Sequence, residues 1–173
     1  MRQRNRKSGF TLIEILIVVI ILGILAAIVI PQFTNASQDA RKSSLASTVQ
    51  TVKSQIELYK LQHKDNPPLL ITGGGGQWES FTMYSDIDGT FAAAPDLTAT
   101  PPINLGPYMQ QAPANPLLQI ATIGALGTVD GSVGWTYDET TGVFHGIVPN
   151  RANDTWYESD DGQHDLATGN LID

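Results

Sequence analysis

The sequence has no cysteine. That excludes a disulfide framework, thiol catalysis and any zinc site built on cysteine. It assigns no compartment, because an oxidising space permits disulfides without requiring them. Charge is scarce as well, at 16% of 173 residues. The distal part nearly lacks basic groups: across residues 65–173 there are fourteen acids and one cation, Arg151. A surface of that sign repels nucleic acid, whose recognition rests on basic contacts to phosphate, so no nucleic acid partner is expected. Histidine is limited to His63, His145 and His164. None lies in a His-Glu-x-x-His spacing, and no Gly-x-Ser-x-Gly elbow occurs. His63 sits at a helix end, where a cation is welcome. His145 reads as a strand residue beside Phe144, and His164 with Asp165 as a polar surface pair. No nucleophile, base and orienting group are gathered, and no enzyme activity is expected.

What the chain has in abundance is one apolar run. Residues 10–30 are uncharged except for Glu14. A helix of that length spans roughly 31 Å, about the hydrocarbon thickness of a bilayer. Gly23 is its one weak helix former, and Pro31 follows, predicting a soft point and then a kink or break. Arg2, Arg4, Arg6 and Lys7 precede the run. The positive-inside rule keeps that leader in the cytoplasm and sends the remainder across the membrane. A removable secretory signal fits poorly, since its apolar core is usually 7–15 residues. An ordinary signal anchor explains the length but not Glu14, because a carboxylate at the centre of a membrane helix costs roughly 2.5–3.5 kcal/mol.

Lys-Ser-Gly-Phe-Thr-Leu-Ile-Glu at residues 7–14 resembles the prepilin leader motif of type IV pilins and type II secretion pseudopilins. The resemblance covers the leader and the whole apolar helix, including Gly23 and Pro31. It implies cleavage by a prepilin peptidase between Gly9 and Phe10, and methylation of the new Phe10 amine. It gives Glu14 an assembly role: the carboxylate of an incoming subunit meets the amine of its neighbour. Opposite charges attract strongly in a poorly hydrated site. It also implies, as family behaviour, that Gly23 and Pro31 bracket a stretch that loses helical hydrogen bonds on packing.

Beyond Pro31 the pattern changes. Leu45, Val49, Val52, Ile56 and Tyr59 recur at steps of four and three, one apolar stripe on a helix. The stripe predicts packing on a sheet of the same subunit, with the helix ending near Lys64 ahead of Asn66-Pro67-Pro68. Residues 66–132 read as a variable loop region. Within it the four glycines at 73–76 read as a flexible connection, residues 81–84 as a short strand or helical turn, and residues 85–89 as an acidic turn. Residues 106–116 predict a short helical turn and then a proline-fixed loop. Residues 133–138 and 142–148 flank an Asp-Glu-Thr-Thr-Gly turn and predict a β-hairpin, with Trp135 and Tyr137 on one face. An acidic tail completes residues 133–173.

The expected fold is therefore α+β: a leader at 1–9, a transmembrane and filament-core helix at 10–30, an amphipathic helix at 31–65, and a small antiparallel sheet against it. The resemblance is greatest to the major pseudopilins of type II secretion. It implies a helical homopolymer of identical or homologous subunits, processing by a prepilin peptidase, and an inner-membrane assembly platform. It further implies lipid around the helix before assembly, and a periplasmic C-terminal domain. The alternatives are a surface pilus subunit for adhesion, motility or DNA uptake, and a membrane-anchored binding module. In the pseudopilin family a loop near the C-terminus binds calcium, and Ser159-Asp160-Asp161-Gly162 resembles part of it. Asp160, Asp161 and Asp165 are the candidate ligands.

Overall fold

The computed structural model describes residues 9–72, 77–150, 155–162 and 164–167. The basic leader before Gly9 and the four-glycine run at 73–76 lie outside the described residues. One helix, α1, runs over Leu12–Gln62. The chain divides into two compact units, Met1–Asp39 and Ala40–Asp173.

Over residues 15–30, in the first unit, α1 is apolar on every side. The expectation of a break at Pro31 is not met, since the helical backbone continues through both Gly23 and Pro31. A proline inside a helix removes one hydrogen bond and strains one turn, at about 3 kcal/mol. Long helical stretches on both sides hold that turn in place.

In the second unit the predicted stripe is the buried face of the helix. Leu45, Val49, Val52, Ile56 and Tyr59 are all buried in one core with Trp135, Tyr137 and Phe144. The outer face carries hydroxyls that bond back to the preceding turn: Ser47 to the Ser43 carbonyl, Thr48 to Ser44, Thr51 to Ser47 and Ser54 to Gln50. Those polar side chains therefore need no tertiary partner. The helix ends at Gln62, and Lys64 and Asp65 take left-handed backbone angles that turn the chain before the paired prolines.

The predicted hairpin is present as β4, Trp135–Tyr137, antiparallel to β5, Phe144–Asn150. Two further strands complete the sheet: β3, Ile123–Ala125, and β6, Thr155–Ser159, in the order β3-β4-β5-β6. The sheet is mixed, because β3 runs parallel to β4. The residues expected to form an acidic tail thus include an edge strand, β6. Residues 79–85 supply a one-turn helix, α2, Glu79–Thr82, and β1, Tyr84–Ser85, which pairs with β2, Phe91–Ala92. The acidic turn between β1 and β2 is closed by Asp86, whose Oδ1 accepts from Asp88 N and Thr90 N. Residues 106–115 contain no helical turn. Asn115 fixes the end of that loop: its Nδ2 donates to the Gly134 and Ile147 carbonyls at 2.7 and 2.8 Å, and its Oδ1 accepts from Leu117 N.

Candidate functional site

Two places hold the residues singled out in the sequence: the start of α1 and the acidic loop after β6. At the first, Thr11 precedes the helix and Glu14 lies in its first turn. Glu14 Oε2 accepts from Thr11 N at 2.8 Å and from Thr11 Oγ1 at 2.7 Å, while Glu14 N donates to Thr11 Oγ1 at 3.3 Å. This is a capping box, in which the two side chains satisfy each other's free backbone donors. A negative charge in the first turn also complements the positive end of the helix dipole. Thr11 was not singled out above, although the Thr-x-x-Glu spacing ahead of an apolar run is the sequence signal for such a cap.

Around this cap the apolar side chains are exposed among the described residues. Phe10 and Leu12 are 84% and 85% exposed, and Ile13 through Ile30 include no buried residue. A Cβ built on Gly9 or on Gly23 meets nothing within 4 Å. By length and composition α1 is able to cross a membrane.

At the second place the three candidate carboxylates do not converge. Among the described residues no group of three or more His, Cys, Asp or Glu is disposed to hold a metal ion. Asp160 instead bridges a lysine and a histidine. Its Oδ2 accepts from Lys53 Nζ at 2.6 Å and its Oδ1 from His145 Nδ1 at 2.8 Å. A carboxylate only accepts, so His145 carries a proton on Nδ1. Burial alone would raise the Asp160 pKa, but the contacts from His145 and Lys53 outweigh it and hold the carboxyl below its ordinary value. Asp161 accepts from His164 through both N and Nδ1, and from Ser159 Oγ. His164 therefore pairs with Asp161, and Asp165 Oδ1 accepts from Ala167 N.

His63 is not a helix-end cation. It is fully buried, stacked on the Tyr59 ring at 3.6 Å. Its Nδ1 donates to the Tyr59 carbonyl, and its Nε2 accepts from Ser85 Oγ. Burial pushes its pKa down, so the neutral ring is the form that packs.

Residues 4–30 match the family model of the prokaryotic N-terminal methylation motif. The chain is 43% identical over 61 residues to the type II secretion system core protein G of Pseudomonas aeruginosa, which covers 35% of this chain and 43% of that protein. It is 39% identical over 63 residues to the protein of the same name from Dickeya chrysanthemi, covering 36% and 41% of the two chains. For the Escherichia coli K12 protein the identity is 33% over 67 residues, covering 39% and 46%. The chain thus spans less than half the length of these curated relatives. No solved structure matches it.

Proposed function

We propose that this chain is a pseudopilin, a structural subunit of the filament that drives protein export by type II secretion. One observation carries the reading: the methylation motif over residues 4–30 coincides with a capped helix whose apolar side chains are exposed over residues 12–30. The chain inserts in the inner membrane with its leader in the cytoplasm and its C-terminal domain in the periplasm. A prepilin peptidase cuts between Gly9 and Phe10 and methylates the Phe10 amine. An inner-membrane platform then transfers the subunit from lipid to filament.

The chemistry at the cap explains the order of these steps. Before cleavage Glu14 is held by Thr11 of its own chain, so the carboxylate enters the membrane with its charge partly satisfied. Cleavage creates an ammonium at Phe10. That cation is a stronger partner than a neutral hydroxyl and amide, and in a poorly hydrated site the attraction is large. A neighbouring subunit's amine then competes with the intrachain cap, and assembly follows processing. Leaving lipid exposes apolar side chains worth about 1.5–3 kcal/mol each. Transfer is feasible only when other subunits rebury them, as a helical filament core does.

Mass spectrometry of the mature N-terminus tests the reading. The expected chain starts at Phe10 with one added methyl group. An intact Met1, or a start after the apolar run, overturns it. Deletion of the gene distinguishes the export filament from a surface pilus: folded exoproteins retained in the periplasm support the former, and lost surface fibres with normal export contradict it.

A further inference from the structure

The loop after β6 is where the sequence resemblance implies calcium, and its carboxylates are committed elsewhere. Calcium takes six to eight oxygens, usually with several carboxylates among them. Here Asp160 already receives an ammonium and an imidazole N–H, and Asp161 receives two donors from His164. A divalent ion bound at Asp160 would lie beside the Lys53 ammonium and be repelled by it.

The same loop is nevertheless tied to α1, and at two points. Gly162 has a φ of +74°, and a Cβ there would lie 3.2 Å from Lys42 Cα and Cβ and 3.3 Å from Leu45 Cδ2. The backbone therefore lies against the helix, a position that favours glycine. Gly162 N donates to Ser159 Oγ, which closes the turn. Further along the same helix Lys53 grips Asp160 at 2.6 Å, with both side chains about two-thirds shielded from solvent. Behind Asp160 stands His145 from β5, also well shielded. One carboxylate thus joins the helix, the sheet and the loop.

We propose that Lys53 is the resident cation of this chain: its ammonium ties the 159–162 loop to α1 where a divalent metal would otherwise be required, so the folded protein is independent of calcium. A lysine within the helix cannot be lost to dilution or chelation. The design also places the cation and its carboxylate 107 residues apart in sequence, so the tie forms only when the C-terminal strand has docked.

The test is thermal melting of the full-length chain in detergent micelles, with calcium chloride and with a chelator. The wild-type curves are expected to superimpose, and a higher melting temperature in calcium overturns the proposal. Lys53→Met is expected to melt lower than wild type, and Lys53→Arg to recover most of the loss. A Lys53→Met protein that melts like wild type also overturns the proposal. If that variant does not fold, Asp160→Asn takes its place, with the same reading, and the wild-type calcium comparison stands regardless. None of these readouts depends on export, so they separate this proposal from the pseudopilin reading.

Discussion

Glu14 has a partner before any second subunit is present, and that partner is Thr11. The cap and the charge can be separated, because glutamine at this position still completes a capping box but carries no charge. Glu14→Ala loses the charge and the carboxylate half of the box, while Thr11 Oγ1 still accepts from the backbone N at position 14; the loss is small beside the insertion of a long apolar helix. Both variants are expected to insert and to be cleaved normally, and both to yield few filaments by electron microscopy. Normal filaments from Glu14→Gln would show that capping alone suffices. His63 gives a second prediction at this scale. Its folded pKa is lowered from 6.5 by burial, so below that value the unfolded chain binds a proton that the folded chain refuses. Stability is then full above about pH 6.5 and falls as pH drops toward the folded pKa. Urea midpoints measured across that range should slope for wild type and flatten for His63→Gln. A wild-type midpoint that does not fall on acidification would contradict the neutral buried ring.

Among the elements, α1 and the β4–β5 hairpin were legible because their signals are local. The helix stripe repeats at helical spacing, and the hairpin is aromatic and β-branched residues around a turn. The other two strands of that sheet, β3 and β6, were not legible. Ile123–Ala125 has three residues and no alternating pattern, and becomes a strand only by pairing in parallel with Trp135–Tyr137. Thr155–Ser159 contains Trp156 and Tyr157, which favour strands, but the acids around it gave the stretch the look of a solvated tail. The candidate site divides in the same way. Thr11 and Glu14 lie three residues apart and follow a known cap spacing. Lys53 and Asp160 meet only through the tertiary fold. The start of β4 carries a prediction. A Cβ on Gly134 would stand 2.1 Å from the Ile120 carbonyl oxygen and 3.1 Å from Asn115 Cβ. Neither neighbour is the tip of a flexible side chain, so the backbone must shift. Gly134→Ala is expected to cost about 1–3 kcal/mol or more, read as a lower urea midpoint. An unchanged midpoint would mean that the segment carrying Asn115 and Ile120 can move without penalty.

The whole molecule combines an acidic distal part with a helix whose apolar side chains are exposed over residues 12–30. On the proposed reading, lipid and filament are two ways of covering the same residues. The absence of native cysteine makes this directly measurable, since an introduced thiol has no competitor within the chain. Leu16 and Leu22 are 44% and 58% exposed, and leucine to cysteine keeps the positions apolar. In cells with the full export apparatus, the proposed filament packing would bring neighbouring helices together, so Leu16→Cys and Leu22→Cys chains are expected to form disulfide-linked dimers under mild oxidation. In cells without the prepilin peptidase the same chains are expected to keep their leader, to lack the Phe10 amine and to remain separated in lipid. Dimers should then fall toward the level of random encounter. Equal cross-linking in both strains would show that these helices meet in the membrane without processing, and would remove the Phe10 amine from the assembly step.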